Sequence, residues 1–212
     1  MKKVFFTMVV LLMLCVAAKA QDKDKSFTIG AGSGITYFGN YSPLSLYADD
    51  TPDCLSKIGF SVDYHKYLNG MFYLGVEASV CGLHTSAIAN KELAGLGNLS
   101  FAMGADVPLW RNAMGNGWEI PVEIKVGPTM MVNEIVYDGV RKDFYRWGAM
   151  GSFGFGLNYC GENFSIGLSN TAFVGGNFVN KVTLPDGLEN NTENGSWFYG
   201  YRLMLNVAFV ME

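Results

Sequence analysis

The chain has 212 residues, 50% of them hydrophobic, with 15 Lys and Arg against 19 Asp and Glu. That acidic balance, with no basic run, excludes a protein that binds nucleic acid through its phosphates. A content of 26 Gly, 15 Phe and 11 Tyr suits a β-rich fold, and the length suits one domain.

At the N-terminus Lys2 and Lys3 precede an apolar run from Val4 to Ala18, and Ala18-Lys19-Ala20 forms a small-x-small cleavage site. The pattern predicts a secretory signal over 1–20, removed after Ala20. Cys15 follows Leu14, where a lipoprotein signal wants a small residue, so lipidation is not expected. Cleavage removes Lys2, Lys3 and Lys19 and no acid, leaving 12 basic against 19 acidic residues, a net charge of −7. A short periplasmic segment, 21–25, then leads into the domain at 26–212. No later run approaches the roughly 18 uninterrupted apolar residues of a membrane helix, so any membrane residence must come from strands.

Alternating apolar and polar residues predict eight strands, at about 26–39, 56–67, 72–84, 96–110, 118–131, 145–159, 164–174 and 197–211. The clearest is the fifth, where Trp118, Ile120, Val122, Ile124 and Val126 point one way and Glu119, Pro121, Glu123, Lys125 and Gly127 the other. Pro121 and Pro128 within it are expected at an end or a bulge. Connections at 68–71, 111–117 and 160–163 are short; those at 40–55, 85–95, 132–144 and 175–196 are long. Short turns on one side and long loops on the other are the pattern of a membrane barrel, and an even strand count brings both termini to the short-turn, periplasmic side.

One face of every strand is apolar, as in Ile58, Phe60, Val62 and Tyr64 or in Leu203, Leu205, Val207 and Phe209. Aromatics gather toward strand ends: Tyr64, Tyr67, Phe72, Tyr73, Trp110, Trp118, Tyr159, Phe164 and Phe209 near the short turns, Tyr37, Phe38, Tyr145, Trp147, Phe173, Trp197 and Tyr199 near the long loops. Two such girdles match a bilayer with two interfaces. The other face is small or polar, which suits the interior of an all-β, eight-stranded, antiparallel up-and-down transmembrane barrel. A water-soluble barrel would need the large apolar set inside.

Eight strands enclose a lumen about wide enough for side chains to fill. The inward Asp63, Glu77, Glu119, Glu123, Lys125 and Arg202 are therefore expected to form a charge network, because isolated buried charges are too costly. The network reads first as a plug and second as a selectivity element, with Lys125 and Arg202 between Glu77 and Glu123. His65 reads as a polar lumen residue.

His84-Thr85-Ser86, with Glu92 beyond, holds the side-chain types of a hydrolase. The segment leaves the regular strand there, so ordinary loop is the better reading. Gly30-Ala31-Gly32-Ser33-Gly34 lacks the spacing and the following helix of a nucleotide loop. No zinc spacing occurs, and no catalytic residue, metal or cofactor is expected. Cys54, Cys81 and Cys160 remain after cleavage, an odd number, with a Cys54 to Cys81 disulfide open to the chain in an oxidising envelope. The long loops 40–56 (Asp49, Asp50, Asp53) and 177–195 (Asp186, Glu189, Glu193) read as solvated acidic loops at the cell surface.

These segments, above all Ile29-Gly30-Ala31-Gly32-Ser33-Gly34, Ile58-Gly59-Phe60-Ser61-Val62-Asp63-Tyr64, Ile120 to Pro128 and Gly154-Phe155-Gly156-Leu157-Asn158-Tyr159, resemble the small outer-membrane β-barrel domain family of Gram-negative bacteria, the OmpX-like and porin-type eight-stranded proteins. The likeness spans 26–212 and implies a fold and a location, the cell outer membrane, without catalytic content. The chain departs from the family's usual aromatic C-terminal residue, ending Phe209-Val210-Met211-Glu212. The expected function is a non-enzymatic structural or surface-interaction role with a largely filled polar lumen. A narrow porin-like diffusion channel and a lipid A-modifying hydrolase using His84 and Ser86 are the alternatives. Expected partners are outer-membrane lipid and lipopolysaccharide and the barrel assembly machinery, with the chain itself a monomer.

Overall fold

The computed structural model describes residues 23–38, 54–84, 94–112, 116–137, 140–181 and 196–211. They form eight strands: β1 Lys25–Phe38, β2 Cys54–Tyr67, β3 Phe72–His84, β4 Ala94–Arg111, β5 Gly117–Tyr137, β6 Val140–Cys160, β7 Phe164–Lys181 and β8 Ser196–Met211. Each pairs antiparallel with its sequence neighbours, and β1 pairs with β8 from Lys25↔Met211 to Phe38↔Phe198. The sheet closes on itself, so every strand has two partners and no edge is left unpaired.

The short turns carry local signals. Between β2 and β3, Gly70 adopts φ 71°, the left-handed conformation that glycine takes without penalty. Beside it the Asn69 side chain accepts from the Phe72 amide at 2.8 Å and the Met71 amide at 3.3 Å. Between β6 and β7 the Gly161 amide donates to the Phe164 carbonyl at 2.7 Å.

The alternation read from the sequence governs which side chains face out. Ile58, Phe60, Val62 and Tyr64, with Leu203, Leu205 and Phe209, are all exposed, while the intervening Ser61, Asp63 and His65 are buried. So continuous an apolar belt exceeds the patches that soluble monomers carry. Tyr64, Phe72, Trp110, Trp118, Phe164 and Phe209 are exposed toward the short-turn end, and Tyr145, Trp147, Trp197 and Tyr199 toward the other.

Several expectations need correction. Tyr67, Tyr73 and Phe173 are not girdle residues: all three are buried inside the barrel. Tyr67 and Tyr73 share the parity of Asp63 and Glu77, which their aromatic character had masked. The connection expected at 132–144 is largely strand, since β5 runs to Tyr137 and β6 starts at Val140, and β7 likewise continues to Lys181. Neither Pro121 nor Pro128 marks an end or a bulge. The β5–β6 pairing skips Ile120 and Pro121, and the β4–β5 pairing skips Gly127 and Pro128, with the register unchanged on either side. Each proline takes up its missing donor in a local gap of the ladder. The register shift near this end lies instead in β4–β5, between Pro108 and Trp110.

The lumen is also less polar than its small and charged residues suggested. Toward the long-loop end it is packed by Cys81, Leu83, Leu96, Met131, Met150, Phe173 and Phe198. In those stretches both strand faces are apolar, as in Met130-Met131 and Trp197-Phe198-Tyr199, so periodicity carries no information about which side chain turns inward.

Candidate functional site

The lumen, read upward from the short-turn end, holds three arrangements of charge below the apolar layer. The lowest is built around Lys23, two residues before β1. Its ammonium reaches across the barrel to Asp106 of β4 at 2.9 Å and Glu119 of β5 at 2.8 Å. Tyr67 donates to Asp106 at 2.6 Å, and Arg111 donates to Glu119 at 3.2 Å. The Lys23 ammonium also lies 5.3 Å from the Tyr67 ring centre. Burial alone would pull the pKa of Lys23 down, but the Asp106 and Glu119 carboxylates outweigh it and hold that pKa above the ordinary lysine value.

Above it lies the group centred on Lys125, which is ion-paired to Glu77, to Glu123 at 2.7 Å and to Asp63 at 3.4 Å. Alternation on β2, β3 and β5 aims all four inward, and the register pairs Asp63 directly with Glu77. Ser61 donates to Asp63 at 3.3 Å and Tyr73 to Glu123 at 3.2 Å. His65 stacks on Tyr73 with ring centres 4.1 Å apart. One ammonium thus serves three carboxylates, whose remaining lone pairs are partly met by these hydroxyls.

Arg202 of β8 stands apart. It donates to Ser79 at 3.3 Å and lies 5.0 Å from the ring centre of Phe173, at the boundary with the apolar layer. The space left among these side chains is about 80 Å³, room for a few water molecules.

Of the six residues expected to form one network, Asp63, Glu77, Glu123 and Lys125 meet. Glu119 belongs to the Lys23 group instead, and Arg202 does not sit between Glu77 and Glu123. Sequence reasoning missed Lys23, because it precedes the alternating segment. Asp106 has the inward parity of β4, but its place beside Glu119 depends on register: it pairs with Pro121 across β4–β5, two positions from Glu119.

Cys81 is a buried free thiol, so the Cys54 to Cys81 bridge that the sequence left open is not present. Cys160 is also free and buried; it ends β6, paired with Gly117 two positions from Glu119, where the 160–163 connection had been expected. His84 ends β3. Its side chain, Ser86, Glu92, the signal segment 1–20 and the acidic residues of 40–53 and 182–195 lie outside the described residues.

A closed antiparallel barrel with a lipid-compatible outer belt and a charged, filled lumen defines an outer-membrane β-barrel protein. The model of the family described as outer membrane protein beta-barrel domain matches residues 6–172, and the chain belongs to that family. Its place is the cell outer membrane of a Gram-negative bacterium.

Among solved structures, the chain is similar to Neisserial surface protein A, at 9% identity over 87% of this chain and 97% of that one with a TM-score of 0.53. It is also similar to Ail, the attachment invasion locus protein of Yersinia pestis, at 13% identity over 90% and 100% with a TM-score of 0.49. A third is the outer membrane protease OmpT of Escherichia coli, at 8% identity over 90% and 97% with a TM-score of 0.45. At these identities the likeness concerns the fold. No curated protein matches the chain.

Proposed function

We propose that this barrel is a non-enzymatic, monomeric outer-membrane protein with a structural or surface-interaction role, in which the lumen charges act as a plug. The observation that carries this reading is the packing of the interior. Lys23 and Lys125 each tie carboxylates from separate strands across the lumen, and Phe173, Phe198, Leu83 and Met131 fill the section above. About 80 Å³ remains among the charged and polar side chains. With the interior so occupied, surface chemistry belongs to the long loops.

The measurement that tests this is single-channel conductance of the refolded mature barrel in a planar bilayer, with Arg202→Ala and Glu123→Gln beside it. Silence from wild type is expected. Discrete openings in wild type, altered in size or ion selectivity by either substitution, would replace the plug with a narrow diffusion channel.

A further inference from the structure

The lipid-facing surface carries a groove of about 400 Å³ that crosses β2 to β6. Its geometry follows from one cross-strand row of the sheet, Phe60↔Val80↔Gly97↔Met130↔Trp147. Along that row the side chains are large, medium, absent, medium and large, so Gly97 is the floor between Val80 and Met130. In the next row Ala78 deepens the same depression.

Nothing in the barrel's own packing requires glycine at 97. A Cβ there would meet only the Met130 carbonyl oxygen, at an ordinary 3.7 Å. The gap is therefore not a by-product of strand contact, unlike Gly127, where a Cβ would collide with the Leu99 carbonyl.

The row also climbs. Phe60 lies 7 residues before Tyr67, the periplasmic end of β2, whereas Trp147 lies 13 before Cys160, the periplasmic end of β6. The groove thus runs from mid-membrane up to Trp147 in the outer girdle. Water is excluded at this depth, and a depression left unfilled forfeits contact on one side. A flexible hydrocarbon chain descending from the outer leaflet is the shape that fills it.

We propose that this groove is a binding site for one acyl chain of lipopolysaccharide, entering beside Trp147 and lying over Gly97 and Ala78. The chain holds its place by close packing, since there is no water for the hydrophobic effect to act against.

The test uses the barrel produced in outer membranes, extracted in mild detergent and washed by repeated detergent exchange. Retained lipid is then identified and counted per barrel by mass spectrometry. Gly97→Leu and Ala78→Leu fill the groove. Gly151→Leu is the control, another outward glycine with room for a Cβ, 3.9 Å from the Lys125 carbonyl oxygen, but outside the groove. Heat-modifiable gel migration establishes that each variant is folded, and Ala78→Leu carries the test if Gly97→Leu fails to insert.

Wild type and Gly151→Leu are expected to retain lipopolysaccharide, with most of it lost from Gly97→Leu and Ala78→Leu. Equal retention in all four, equal loss from the Gly151 control, no retention by wild type, or retention of phospholipid in its place would each overturn the proposal.

Discussion

Lys125 is the residue on which the middle of the lumen depends. It is the ammonium shared by Asp63, Glu77 and Glu123, all largely buried. Truncating it to an apolar side chain strands three carboxylates, and breaking a buried pair in this way costs about 3–5 kcal/mol. Lys125→Met is therefore expected to shift the urea unfolding midpoint strongly in lipid vesicles. Arg202→Met should shift it far less, by about 1 kcal/mol, because the hydrogen-bond partner left behind is the neutral Ser79. Equal shifts would refute this ranking of the two cations.

Lys23 adds a pH dependence. Its folded pKa is raised, so its contribution is fully present below the unfolded value, about 10.4, and fades as pH climbs from there toward the folded one. The stability gap between wild type and Lys23→Met should be constant in the neutral range and narrow in strong alkali. A gap that instead widened above about pH 10.4 would contradict the pairing.

At the scale of the strand, Gly127 and Pro128 form a tight crossing with β4. The pairing lapses opposite Leu99 and Ser100, and the Gly127 backbone comes close enough to the Leu99 carbonyl that no Cβ fits. Gly127→Val should abolish the heat-modifiable folded band, while Gly151→Val, whose Cβ would make only an ordinary contact with the Lys125 carbonyl oxygen, should keep it. The same strands show how far the sequence could be read. Alternation in Ile58 to Tyr64 and Trp118 to Val126 located β2 and β5 and assigned their faces. It failed at the ends, where Met130-Met131-Val132 are apolar on both sides. It also said little about the β5–β6 hairpin: Asn133-Glu134 and Arg141-Lys142-Asp143 look like loop by composition, yet pair in continuous register.

For the whole molecule, closure and location were legible because eight alternating segments, each with an outward apolar face, admit one arrangement in a bilayer. The composition of the site was legible in part. Parity brought Asp63, Glu77, Glu123 and Lys125 to one side of the sheet, but parity is a one-strand property. Which inward charges share a level depends on register and tilt across several strands, and that is why Glu119 and Arg202 were grouped with neighbours they do not touch. Lys23 was out of reach altogether, since its partners lie on β4 and β5 and its own segment carries no pattern.

The position of that lysine also bears on the order of events as the barrel forms. Arg111 and Glu119 belong to a single hairpin and can meet as soon as β4 and β5 pair. Lys23 arrives only when the start of the chain docks: the Asp24 carbonyl accepts from the Tyr67 amide at 2.8 Å, and the Asp24 amide donates to the Met211 carbonyl at 3.2 Å. Those two bonds join the N-terminal segment to β2 and to β8, across the seam where the first and last strands close. Without Lys23 in place, Asp106 and Glu119 have Arg111 as the one cation of this group. Charge balance at the base of the lumen is thus tied to the docking of the N-terminal segment, and a barrel in which that segment is undocked keeps an uncompensated carboxylate there.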